Sequence, residues 1–160
     1  MRTRELGKLV NNRGASPEGA SAVFVPINDD WAIKFYVCEE ACIEAYEMQK
    51  HVLEETGLAP KVGSGIVKIE DEFGDDLFGY ITEIVETFIS HEETANPVNS
   101  WYFDDLSRWC NWEESDEFAE LGFLETLEKV EAETNLDFCD AHAGNWGYRK
   151  DGVPIPIDFY

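Results

Sequence analysis

The chain has 160 residues and carries 34 acidic against 12 basic side chains, a formal net charge of −22, with 44% hydrophobic residues including ten Phe and five Trp. That length accommodates one domain or two small lobes whose core needs no disulfide staples, and the apolar content excludes a disordered acidic tail. The charge argues against direct binding to a nucleic-acid backbone, since phosphate contacts need Lys and Arg, and fits solubility, a basic protein partner or mimicry of a polyanion.

From the start, MRTRELGKLVNN has basic residues but no apolar h-region and is not expected to be a secretory signal. No run of eighteen apolar residues occurs, so no transmembrane helix and no membrane partner are expected, and a cytoplasmic location follows as an expectation. Residues 6–12 form a lead-in, strand or helix, and RGASPEGA over 13–20 reads as a loop. Ser21–Val25 is a strand, Asn28-Asp29-Asp30 a turn, and Trp31–Val37 a second strand that carries a single lysine, Lys34. Glu39–Thr56 is a helix with Ala41, Cys42, Ala45, Met48, Val52 and Leu53 as its apolar or small stripe and Gly57 as its stop. Strands are expected over Gly65–Glu70 and Leu77–Val85 around the turn Asp71–Asp76.

Residues 88–115 hold Trp101, Tyr102, Trp109 and Trp112 among acids; these aromatics read as packing and, if exposed, as protein-docking groups. Ser115 is the expected N-cap of a second long helix with acids in its first turn, Phe118, Leu121, Leu124, Leu127 and Val130 as its stripe, and Asn135 at its end. Asn145–Tyr148 and Val153–Ile157 then flank Arg149-Lys150-Asp151-Gly152, whose Asp-Gly pair predicts a hairpin. The four cysteines, Cys38, Cys42, Cys110 and Cys139, form no CxxC pair and read as buried or idle thiols rather than a zinc site. The acidic residues come in short pairs along the chain, the pattern of a solvated face on a folded domain.

The chemistry concentrates near the end. Asn145 follows Asp140 by five positions, Asp158 follows Asn145 by thirteen, and the hairpin between the last two is expected to return Asp158 to the side of Asn145. An amide oxygen and a carboxylate are hard ligands that suit Mg²⁺ beside substrate phosphates. A further carboxylate not committed to metal is suited to orienting an attacking hydroxyl and taking its proton. The bland alternative is a surface hairpin with chance polar residues.

The spacing resembles the catalytic loop and metal-binding Asp of the protein kinase superfamily, and Asp140-x-His142-x-Gly144-Asn145 is closest in style to aminoglycoside phosphotransferases and small bacteriophage-type serine/threonine kinases. Ala32-Ile33-Lys34 resembles the Lys strand of that family. The resemblance spans about residues 10 to 160. It implies an α+β, protein kinase-like fold: an antiparallel-sheet N-lobe with one helix over 1–87 and a reduced, mainly helical C-lobe over 88–160. It implies ATP and Mg²⁺ as cofactors, with Lys34 on the α- and β-phosphates and Glu47, or else Glu44, pairing with it. Gly19 and Ser21 would lie in the loop near the phosphates, Glu83 would open a hinge over 83–86, Asn145 and Asp158 would hold the metal, and Asp140 would be the base. His142 would contact a phosphate or pack. The loop lacks a full GxGxxGxV, and Tyr160 stands where the family has the Gly of Asp-Phe-Gly. The chain stops two residues after Asp158, so no activation segment or peptide-binding helices are expected. The function implied is transfer of the ATP γ-phosphate to a hydroxyl, on a host protein in the host cytoplasm if the chain is phage-encoded. The alternative is a catalytically inactive kinase-like protein whose acidic surface binds and inhibits a host protein, as a nucleic-acid mimic. A small-molecule kinase related to the antibiotic phosphotransferases is a third reading, although those enzymes have a larger second lobe.

Overall fold

In the computed structural model the described residues are 22–36, 38–87, 122–136, 146–157 and 159. They form strands β1 (Ala22–Pro26) and β2 (Trp31–Tyr36), helix α1 (Glu39–Thr56), strands β3 (Val62–Glu70), β4 (Asp76–Glu83) and β5 (Glu86–Thr87), helix α2 (Phe123–Thr134), and strands β6 (Trp146–Tyr148) and β7 (Pro154–Pro156). The fold is α+β. The chain divides into two compact units: of the described residues, the first holds those within 22–49, 61–84 and Phe159, and the second those within 50–60 and 85–157.

The first unit is built on a four-stranded antiparallel sheet in the order β1-β2-β4-β3. Alternation along a strand sends neighbouring side chains to opposite faces. One face gathers Val25, Ile33, Phe35, Ile69 and Leu77, with Val23 and Ile81 against them. The other meets α1: Tyr36 and Tyr80 pack with Cys42 and Ala45, flanked by Tyr46, Val62, Ile66 and Phe78. β3, an outer strand, shifts register between Val62 and Ile66. There the Tyr46 hydroxyl donates to the Gly63 carbonyl at 3.4 Å and accepts from the Gly65 N–H at 3.2 Å, so a helix side chain fills the irregularity.

Helix α1 has the bounds that its acidic first turn and following Gly57 predict. β4 ends at Glu83 rather than running on to Val85. The Glu83 N–H donates to the Lys61 carbonyl and the Ile84 N–H to that of Asp30, both at 2.8 Å, so single main-chain bonds carry the two registers one residue past the strand ends.

The second unit holds a three-stranded sheet in the order β5-β6-β7 and helix α2. Phe123 meets Trp146 edge-on at 5.0 Å and Tyr148 at 5.7 Å, and Phe123, Leu127, Val130, Trp146 and Ile155 are buried. The Arg149 N–H to Val153 carbonyl bond closes the hairpin. Counting back along the ladder, Pro154 and Pro156 fall on the pairs that exchange no hydrogen bonds, so β7 loses nothing by their missing N–H on this outer strand.

One expectation is corrected here. Helix α2 begins at Phe123, not as one helix from Ser115: its N-cap is Gly122, with φ 86°, a left-handed backbone that stops a helix from running through it. Its buried positions are Phe123, Thr126, Leu127, Val130 and Thr134, and it ends on Asn135, as the sequence predicts. Ser115, Phe118 and Leu121 lie outside the described residues, as do Trp101, Tyr102, Trp109 and Trp112. No helix among the described residues is long and apolar enough to cross a membrane.

Candidate functional site

In the first unit, Lys34 stands on β2 between β1 and β4, paired in register with Phe24 on one side and Tyr80 on the other. The alternation that places Tyr36 against α1 places Lys34 on the same face. Lys34 is 8% exposed and is the one buried charged residue among the described residues. Burying an ammonium is costly unless it is engaged, so a lysine buried at the centre of a sheet needs a reason beyond solubility.

Glu44 and Glu47 are both exposed, and among the described residues no ion pair joins either to Lys34. Helical geometry explains this. The buried stripe of α1 runs through Cys42, Ala45, Gln49 and Val52. Glu47 is two residues from both Ala45 and Gln49, about 200° around the axis from each, on the opposite side of the helix. The polar side chain that α1 sends to β4 is Gln49, which the sequence reading passed over. Its Oε1 accepts from the Tyr80 hydroxyl at 2.9 Å, and its Nε2 donates to the Thr82 hydroxyl at 2.8 Å. The available signal was phase: Gln49 falls four residues after Ala45, in line with the apolar stripe.

Glu83 sits where β4 ends. Its carboxylate accepts from the Lys61 N–H at 3.1 Å while its own N–H donates to the Lys61 carbonyl. These two bonds hold Glu83 to the β3–β4 connection.

In the second unit the hairpin pairs β6 with β7. Trp146, the residue after Asn145, pairs with Pro156, two residues before Asp158. Asn145, Asp158, Asp140, His142, Gly19 and Ser21 lie outside the described residues. The hairpin turn is fixed by Arg149, which donates to both Asp151 oxygens, at 2.8 and 2.6 Å, and to the Gly57 carbonyl at 3.0 Å. The Arg149 hydrogen bond holds the Asp151 carboxyl below its ordinary value. Where the chain enters β5, the Glu86 carbonyl and the Val85 side chain lie so near Gly147 that a Cβ there would stand 2.7 and 3.3 Å from them.

Of the described cysteines, Cys38 is exposed and donates to the Glu40 carboxylate at 3.0 Å, whereas Cys42 is buried. Among the described residues no group of three or more His, Cys, Asp or Glu side chains is arranged to hold a metal ion. The sequence-predicted metal ligands fall outside that set. Compared with known proteins, the chain matches no family model, no curated protein and no solved structure.

Proposed function

We propose that this protein binds ATP with Mg²⁺ and transfers the terminal phosphoryl group to a hydroxyl of a protein substrate, as a compact kinase of the type its motifs resemble. The observation that carries the reading is Lys34, a lysine buried on a central strand. The order of the described elements supports it: the Lys strand is followed by a helix, two antiparallel strands, the short strand β5, a second helix and a hairpin. In this reading Lys34 neutralises the α- and β-phosphates, and the oxygens of Asn145 and Asp158 form a hard donor set suited to Mg²⁺. Asp140 orients the acceptor hydroxyl and takes its proton as the new O–P bond forms and the bond to the β-phosphate oxygen breaks, leaving ADP. Gly19 and Ser21 let backbone amides near the phosphates, and residues 83–86 hold the base through main-chain groups. No step is routed through Glu47.

The test is calorimetric titration with ATP, with and without Mg²⁺, on the wild type and on Asp158→Asn. Mg²⁺-dependent binding that the variant loses supports the reading; no binding by the wild type at millimolar ATP overturns it.

A second reading, docking of a basic host protein by the acidic surface, is favoured by the β3–β4 turn. Phe73 is 78% exposed there, among exposed Glu72, Asp75 and Asp76. The Asp71 carboxylate accepts from the Phe73 and Asp75 N–H groups, both at 2.8 Å, and so sets the shape of the turn. Partner binding carried by this surface weakens steeply with salt and survives Asp158→Asn.

A further inference from the structure

The geometry points to Gln49 as the positioning residue for Lys34, standing in for the helix carboxylate that the family resemblance implies; the inference rests on the nucleotide reading above and names how its lysine is held. Gln49 is 0% exposed although it is polar. Its amide works in both directions, accepting from Tyr80 and donating to Thr82. Both partners are on β4, and both are buried. Tyr80 is the residue directly opposite Lys34 across the β2–β4 ladder. Side chains at directly opposed positions of an antiparallel pair start about 4.5–5.5 Å apart at Cβ and shape one another's positions.

Tyr80 is itself confined. Its ring stacks with Tyr36 at 6.2 Å and meets Tyr46 edge-on at 5.5 Å, and its hydroxyl is anchored by Gln49. One helix residue therefore fixes the neighbour of the buried lysine at the far end of its ring and, through Thr82, the next residue of β4 on the same face. The link from α1 toward the lysine strand is a pair of neutral hydrogen bonds that end on β4, the strand paired with β2, and Glu44 and Glu47 remain on the outside of the helix. Any shift of α1 along the sheet breaks two buried hydrogen bonds at once, so the helix has one preferred register beside Lys34.

A double-mutant cycle on ATP affinity tests this, using Gln49→Leu, Lys34→Met and the pair, with Tyr80→Phe as the variant that removes the hydroxyl and keeps the ring. Far-ultraviolet circular dichroism and thermal melting report folding separately. Gln49→Leu is expected to weaken ATP binding about tenfold while the protein stays folded, to have no further effect in the Lys34→Met background, and to be matched in direction by Tyr80→Phe. A folded Gln49→Leu or Tyr80→Phe protein with wild-type affinity overturns the inference and leaves the nucleotide reading standing. Losses that multiply in the double variant do the same, because they show that Gln49 does not act through Lys34. Wild-type protein that does not bind ATP overturns the nucleotide reading, and this inference falls with it. If Gln49→Leu does not fold, the decision passes to Tyr80→Phe alone and to its cycle with Lys34→Met.

Discussion

Arg149 and Gly57 are 92 positions apart in sequence, and the Arg149 Nη1 donates to the Gly57 carbonyl across 3.0 Å. Gly57 follows the last residue of α1, where carbonyls lack partners within the helix and a cation is favoured. The contact ties the hairpin turn to this helix end inside the second unit. Arg149→Met removes it while keeping much of the stem, and is expected to cost about 1 kcal/mol, toward the low end because the side chain is 38% exposed. The expected signature is faster hydrogen exchange over residues 146–157, with the first unit unchanged.

The same turn predicts an acid sensitivity. Asp151 is held below its ordinary value chiefly by the Arg149 hydrogen bond. A lowered carboxylate stabilises the fold above the unfolded value, near pH 4, and that contribution is lost as pH falls through the lowered folded value. Hairpin protection, corrected for the intrinsic pH dependence of amide exchange, is expected to fall below about pH 4 in the wild type, and Asp151→Asn to remove that dependence.

Gly79 on β4 lies beneath Phe35. A Cβ there would stand 2.7 Å from the Phe35 ring, 2.8 Å from the Ile33 side chain and 2.9 Å from the Lys34 carbonyl. The last of these is backbone and cannot swing aside. Gly79→Ala is expected to destabilise the first unit by about 1–3 kcal/mol, read as a lowered urea midpoint, and to weaken ATP binding if β2 shifts as a whole.

The cysteines separate by reactivity. Burial, with a smaller contribution from Glu39, pushes the Cys42 thiol from 9.0 up to about 11. Iodoacetamide at about pH 8 is expected to modify the exposed Cys38 and spare Cys42 until the protein unfolds, with peptide mass spectrometry distinguishing the two sites. Because the folded value is raised, the contribution of Cys42 to stability is complete below 9.0 and is lost as pH rises toward about 11. Cys42→Ala is expected to flatten that alkaline decline in melting temperature.

Within the proposed function, Asp140→Asn keeps the shape of the side chain and removes the proton acceptor. Phosphate transfer is expected to fall by about 10²-fold or more while Mg²⁺·ATP affinity is retained. An unchanged transfer rate with labelled ATP would remove Asp140 from the role of base.

Most of the first unit was legible because its signals are local. The acids Glu39 and Glu40 and the trailing Gly57 set both ends of α1, and Asp71–Asp76 marked the turn between β3 and β4. The Asp-Gly turn gave the hairpin, shortened at each end. What escaped depends on partners far along the chain. Gln49 reads as an ordinary polar helix residue until Tyr80 and Thr82, 31 and 33 positions later, meet its amide. The choice of Glu47 used chain order alone, which carries no information about the side of the helix on which a residue falls. Ser115 offered a good capping sequence, yet the start of α2 is set by the left-handed Gly122.

The irregular register of β3 bears on how this protein behaves in a crowded solution. A long outer strand presents a row of main-chain donors and acceptors on which another chain can grow, the starting point of fibrils. Here that row is interrupted near Gly63–Gly65, where Tyr46 takes up the Gly65 donor, and exposed Lys68 and Glu70 stand farther along. The interruption shortens the regular main-chain edge that β3 offers to edge-to-edge growth.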